Sequence, residues 1–301
     1  MHHADSTAPA AADARSTRSE PPGCDPAWDR HNSARQVVIA LHCSGSSGGQ
    51  WSALRGALTP ALDLLTPDLR GHGGNTAGAG SADIVADDVA HVAALAESVP
   101  GGAHLVGHSY GGAIALRVAI RHPEAVRSVT AYEPVPFRLV RDFDPRSPEV
   151  AELEGVARKL RAWLRAGSPM AAAEHFVDYW SGQGAWQRCA ADRRAAIAAR
   201  METVAQHFTA LMEDSCRLQD YRTLGMPALL LFGQERRAPM RRIEELLRQA
   251  IPAATTETQT GMGHMGPVTH PAAIARRIRA FVQARVRADE IGAAAAVRLA
   301  A

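Results

Sequence analysis

Ser109 stands between glycines in Leu105-Val106-Gly107-His108-Ser109-Tyr110-Gly111-Gly112, behind an apolar run and ahead of AIALRVAIRH, which reads as a helix. A polar residue with small neighbours at a strand-to-helix turn implies a tight bend that holds one side chain up for use. A serine hydroxyl is a poor nucleophile until a neighbouring base takes its proton. His264, in the loop sequence GMGHMG (261–266), is the candidate base. Glu133, which ends VRSVTAYE (126–133), and Glu235, in GQERRAP (233–239), are the candidate carboxylates that could orient an imidazole. Along the chain the order is serine, acid, histidine.

These residues need elements to bring them together. VVIAL (37–41), LDLLTPDL (62–69), AHLV (103–106), VRSVTAYE (126–133) and ALLLF (228–232) read as strands, and the Thr-rich TTETQT (255–260) as an edge strand. Between them lie helical periodicities: Trp51, Leu54 and Leu58 share a face, as do Val85, Val89, Val92 and Leu95, with Ser81 as the expected N-cap. Ile243, Leu246, Leu247 and Ile251 mark another helix, with Pro239 near its start. Strands alternating with helices predict an α/β fold, a mostly parallel sheet flanked by helices on both faces. In such a sheet ligands bind at the carboxyl ends of the strands. Ser109, both glutamates and His264 all follow strands, so all fall at that end.

Residues 137–223 break the alternation. They hold no convincing strand, are Ala-rich and helical in pattern, and are too long for a loop. They read as a helical cap inserted between core strands, with two or three of Phe137, Trp163, Phe176, Tyr179 and Trp180 expected to face a substrate pocket. The organisation is then a disordered leader (1–33), a core (34–136 and 224–288), the cap (137–223) and a low-complexity tail (289–301).

Composition narrows the function classes. A net charge of +2 leaves no electrostatic footprint for nucleic acid or an anionic membrane. Arg236-Arg237 and Arg241-Arg242 are interleaved with acids and read as a solvated helix face. Cys24, Cys43, Cys189 and Cys216 are irregularly spaced with no CxxC, which fits neither a disulfide framework nor a zinc site. No apolar run approaches the roughly 20 residues that span a bilayer. The leader carries no apolar signal-peptide core, so a cytoplasmic location is expected.

The sequence resembles the α/β-hydrolase superfamily. Gly107-His108-Ser109-Tyr110-Gly111 matches its G-x-S-x-G nucleophile elbow, LHCSGSSGGQW (41–51) resembles its oxyanion loop, PDLRGHG (67–73) the turn that follows the next strand, and GMGHM (261–265) its catalytic-histidine loop. The match covers about 35–136 and 224–285. It implies a Ser109–His264 pair, no metal or organic cofactor, and an oxyanion hole formed by the backbone N–H groups of Tyr110, at a helix N-terminus, and Ser44.

Two departures from the pattern bear on the site. Cys43 stands where the oxyanion loop usually has glycine. Most of the family places an aspartate three residues after the glycine that ends the strand before the last; counted from Gly233, that place is Arg236, which has only donors. Glu133 is the first alternative, since some branches place the acid there, and Glu235 the second. Glu133 could also be a structural ion-pair partner. Of the other polar residues, His108 is expected to pack beside the elbow, Arg70 and His72 to stabilise their turn, His270 to start a helix, and Cys43 to fill space.

The expected function is a serine hydrolase that cleaves a carboxylic ester of a small to medium apolar molecule through an acyl-enzyme. Two alternatives stay open: carbon–carbon, thioester or lactone hydrolysis or cofactor-free perhydrolysis on the same triad, and a ligand-sensing hydrolase fold with little turnover.

Overall fold

The computed structural model describes residues 35–58, 62–75 and 81–300; for residue 290 and residues 292–300 only the backbone is described. The expected leader, 1–33, lies outside this set. Six strands form one sheet: β1 (Val37–Leu41), β2 (Asp63–Leu65), β3 (Ala103–His108), β4 (Val126–Tyr132), β5 (Ala228–Gly233) and β6 (Thr255–Gln259). Their spatial order is β2-β1-β3-β4-β5-β6, and every pairing is parallel. The chain turns back on its own order between β1 and β3, which is where a parallel sheet opens a crevice at its carboxyl edge.

Alternation along the strands explains the two covered faces. Val37, Ile39 and Leu41 of β1 join one apolar cluster and Val38 and Ala40 the other. In β5, Leu230 and Phe232 divide from Leu229 and Leu231 in the same way. One face is covered by α1 (Ser52–Leu58) and α12 (Pro271–Ala300), which pack on each other. The other holds α2 (Ile84–Glu97), α3 (Tyr110–Arg121) and, further along the chain, α10 (Ala238–Ala250). β6 is half solvated, as its threonines imply for an edge.

The N-cap of α2 is Asp83, whose carboxylate accepts from the Ala86 amide. Ser81, the expected cap, instead donates to Asp87. Two residues nearer the helix, Asp83 reaches the free amides of the first turn, which the Ser81 hydroxyl cannot. α12 runs unbroken through residue 288, so its backbone marks no boundary between core and tail.

Between β4 and β5 the described chain contains helices only: α4 (Phe137–Phe143), α5 (Pro148–Arg165), α6 (Pro169–Ser181), α7 (Ala191–Ala198), α8 (Met201–Glu213) and α9 (Leu218–Tyr221), followed after β5 by α10 and by the short α11 (Gly266–Thr269). Ser147 caps α5 by accepting from the Val150 amide. A buried ion pair between Arg117 of α3 and Asp214, just after α8, ties this helical insertion to the core.

Candidate active site

Ser109 sits between the last residue of β3 and the first of α3, with φ 55° and ψ −115°. That left-handed backbone is costly for a residue with a Cβ, by about 1–3 kcal/mol. It persists because the neighbours leave no other path: a Cβ on Gly107 would run into the Gly111 carbonyl, and one on Gly111 into the carbonyls of Leu41 and His42. The Ser109 amide is held by the Tyr132 carbonyl, and the side chain stands clear at the strand end.

His264 reaches this serine from the loop after β6. Its Nε2 lies 3.0 Å from Ser109 Oγ, and its Nδ1 lies 2.7 Å from Glu133 Oε2. A carboxylate only accepts, so the neutral ring carries its proton on Nδ1 and offers Nε2 to the serine hydroxyl. Glu133 is fully buried and follows β4 with φ 40°. Its second oxygen accepts from the Gly233 amide at 2.8 Å. Among the described residues, Ser109 and Glu133 are the two non-glycine positions with positive φ.

The other acid position looks different. Glu235 is exposed, and its amide pairs with the Met262 carbonyl. Arg236 donates to the Gly233 carbonyl and pairs with Glu244 of α10. The structure therefore brings Ser109, His264 and Glu133 together and leaves Glu235 outside the group.

The start of α3 and the loop after β1 each hold a backbone amide with no partner of its own among the described residues. The amide of Tyr110 is the first of α3 and has no intrahelical acceptor. The Ser44 amide likewise has no acceptor among the described residues. Tyr110 directly follows Ser109, and Ser44 lines the same cavity as Ser109.

Neutral histidines hold this loop in place. His42 donates from Nδ1 to the Cys43 carbonyl and accepts the Leu69 amide at Nε2. His72 donates from Nδ1 to the Arg70 carbonyl and accepts the Gly45 amide at Nε2. Burial pushes their pKa values down, to about 4 for His42 and about 3 for His72. His108 does more than fill space beside the elbow. Its Nε2 donates to the His264 carbonyl at 2.9 Å, and its Nδ1 accepts from the Gln50 amide nitrogen at 3.1 Å. Gln50 Oε1 in turn accepts the Cys43 amide. One run of hydrogen bonds thus links the oxyanion loop, the elbow and the histidine loop. Burial also holds His108 well below the usual histidine range. Cys43 is a packing thiol, pushed up to about 12 by burial.

The site opens into a cavity of about 660 Å³ whose walls include Ser109, His264, Ser44, Phe137, Phe176 and Trp180. Trp180 stacks on the His264 ring, centroids 3.8 Å apart. Of the other expected cap aromatics, Tyr179 is turned aside: its hydroxyl donates to Glu152 and Arg237 lies over its ring. Trp163 is 44% exposed on α5 and does not share the cavity. A helical segment with aromatics at several phases cannot present all of them to one side, and sequence alone did not resolve the phase.

Two contributors were not singled out as site residues. Gln50 stands in the oxyanion-loop sequence without a role that its type would announce. His207 of α8 lies in the apolar helical series Val204, Phe208, Leu211; it stacks on Tyr110 at 3.6 Å and contacts Ser44 Oγ through Nδ1 at 2.7 Å. A histidine inside an apolar helical face was the available signal.

The sequence profile of the Alpha/beta hydrolase family matches residues 38–277. The chain is 26% identical over 89% of its length to the biotin biosynthesis bifunctional protein BioHC of Teredinibacter turnerae, of which it spans 47%. It is 27% identical over 82% of its length to the pimeloyl-(acyl-carrier protein) methyl ester esterase of Yersinia enterocolitica, of which it spans 93%. Several of the curated relatives it resembles are matched over less than half their length. Among solved structures, a hydrolase from Pseudomonas aeruginosa superposes with a TM-score of 0.68 at 21% identity, covering 83% of this chain and 91% of that one. No described helix is long and apolar enough to cross a membrane.

Proposed function

The chain belongs to the Alpha/beta hydrolase family, its relatives include named esterases, and we propose that it is a serine hydrolase of carboxylic esters working through Ser109, His264 and Glu133. The observation that carries this reading is the pair of contacts made by one imidazole, 3.0 Å to Ser109 Oγ and 2.7 Å to Glu133 Oε2, with Ser109 and His264 lining the cavity. His264 Nε2 takes the serine proton as Oγ bonds to the acyl carbon. The carbonyl oxygen becomes an oxyanion and accepts from the amides of Ser44 and Tyr110. His264 then protonates the leaving alcohol, and the acyl group stays on Ser109. Water, deprotonated by the same nitrogen, attacks the acyl-enzyme and releases the acid. Glu133 holds the Nδ1 proton and stabilises the imidazolium in both halves.

Gln50 and His108 act as positioning residues: they fix the oxyanion loop and the histidine loop against one another. Residues 137–223 act as a cap over the core of 34–136 and 224–288, and the substrate is a small molecule with an apolar portion set against Phe137, Phe176 and Trp180. The connected serine, histidine and buried acid favour turnover over ligand sensing.

A ladder of p-nitrophenyl esters, from acetate to long acyl chains, tests this with wild type and Ser109→Ala. Turnover in wild type that is lost in the variant is expected, and the best chain length measures the cavity. Folded wild type that turns over no ester, or a Ser109→Ala variant that keeps its rate, contradicts it.

A further inference from the structure

The cavity over Ser109 is lined by three arginines and, among the described residues, by no aspartate or glutamate. Arg188, Arg193 and Arg200 all come from the helical insertion, two of them flanking α7 or lying in it and the third capping the start of α8. None forms an ion pair with a described carboxylate, although Asp192 is adjacent in sequence to Arg193. Arg236, Arg237 and Arg242, outside this cavity, each pair with a glutamate. Arg200 is half-buried and spends one terminal nitrogen on the Gly45 carbonyl at 3.0 Å, leaving other donors of the guanidinium without a described acceptor. Guanidinium groups in that condition match a carboxylate.

The same cavity also carries an apolar lining, with Phe137, Phe176 and Phe208. A wholly apolar ester would use that lining and leave the cations to water. A wholly polar one would strand the rings. An ester with an apolar chain and an anionic end uses both.

We propose that the natural substrate is an ester carrying a carboxylate or a group of like charge, received by Arg193 and Arg200 of the cavity lining while the ester carbonyl lies at Ser109. This rests on the reading of Ser109 as the nucleophile. The two cations also bear on the oxyanion loop. Burial is the main influence on Cys43, His42 and His72, but the charge of Arg193 is felt at Cys43 and that of Arg200 at His42 and His72.

The test is a charge series of similar shape: monomethyl adipate (anionic), methyl hexanoate (neutral) and methyl 6-aminohexanoate (cationic), with 4-acetoxybutanoate against butyl acetate to place the charge on the alcohol side. A hydrogen-bonded charge pair favours its bound partner, so kcat/KM should favour an anionic ester over its neutral partner by about tenfold or more. The cationic ester should be the slowest. The anionic-to-neutral ratio should shrink as salt rises and should collapse toward one in Arg193→Gln and Arg200→Gln. Arg193 is exposed, so its variant keeps the fold, and Arg200→Lys keeps the charge if Arg200→Gln does not fold. Arg165→Gln, an exposed arginine at the end of α5, should leave the ratio unchanged. Ratios within twofold of one on both the acyl and the alcohol side, or a ratio that survives both substitutions, overturn the proposal. So does an anion preference seen only when the acyl group is presented on an acidic carrier protein, since the charge would then lie on a partner's surface. Absence of turnover on every ester, neutral ones included, would instead remove the underlying esterase reading.

Discussion

The ends of β4 and β5 are neighbours in the sheet, both point at the histidine loop, and they are built for different tasks. After β4 the chain bends into a left-handed residue, Glu133, buried completely and bonded to both Gly233 and His264. After β5 it relaxes into an exposed turn in which Glu235 faces water and Arg236 faces Glu244. Strain and desolvation are concentrated at the first end, where a buried carboxylate can be kept only if its oxygens are satisfied. The second end contributes the Gly233 amide that satisfies one of them. The buried carboxylate and the amide that supports it are thus divided between adjacent strands.

The sharpest way to break this comparison is Glu133→Gln. It keeps the shape but offers an amide to the imidazole, and the rate of ester hydrolysis should fall by about 10³–10⁴-fold with an unchanged fold by circular dichroism. A loss under tenfold would mean that the acid lies elsewhere.

A second contrast lies in the buried histidines: His42, His72, His108 and His207 lie around the carboxyl ends of β1 and β3, and His104 lies near the amino end of β3. His42, His72, His104, His108 and His207 all have pKa values lowered by burial, to about 4, 3 and 4 for the first three and well below the usual range for the other two. Their unfolded value is near 6.5, so below that pH the unfolded chain binds protons that the fold refuses. The stabilisation is complete above about pH 6.5 and is lost as pH falls toward 4, by about 1.4 kcal/mol per pH unit for each group. Asp88, raised to about 6 by burial, has the opposite sign: its contribution is present at low pH and lost as pH rises through 6. The histidines outnumber it, so denaturant titrations at pH 7.5 and 5.5 should show several kcal/mol less stability at the lower pH. Equal stability would contradict the neutral cross-links.

Arg236→Gln should act on stability more than on rate. It leaves Glu244, which is 7% exposed, without its main partner, and should lower unfolding free energy by about 1–3 kcal/mol while kcat/KM changes less than about threefold. Urea melts and steady-state rates on the same preparation check both halves.

Smaller still is Gln50→Leu. It cuts the run from Cys43 to His108 to the His264 carbonyl and should lower kcat by about tenfold with little change in KM, as expected of a group that positions others. Full activity would show that the loops hold their places without it. At the bottom of the scale, Glu235→Gln should alter kcat by less than about twofold.

Much of this was legible in the sequence for a physical reason. Apolar runs ending in glycine or serine fix where parallel strands stop, and chemistry collects at those stops. That places Ser109, His264 and Glu133 at one end of the sheet from the sequence alone. Choosing between Glu133 and Glu235 needed backbone geometry, because both are glutamates close after a strand; the positive φ and complete burial of Glu133 distinguish them. The insertion was legible as helical but not in phase. Trp163 and Tyr179 carry the same residue-type signal as Phe176 and Trp180, and only helix packing decides which side each occupies. The run through Gln50 and His108 joins residues far apart in sequence, and no local pattern encodes such a contact. Ser81 and Asp83 show the same limit on a small scale, as two good capping residues of which geometry selects one.

The central claim is that Ser109 is activated by His264 and that His264 is held by Glu133. The most direct measurement is the rate at which a fluorophosphonate labels the protein, followed by intact mass and by mapping the modified peptide, in wild type, Ser109→Ala, Glu133→Gln and Glu235→Gln. The account predicts a single adduct on Ser109, absent in Ser109→Ala, slowed by orders of magnitude in Glu133→Gln and unchanged in Glu235→Gln. Rapid labelling of Glu133→Gln together with slow labelling of Glu235→Gln, or an adduct on another residue, would contradict it.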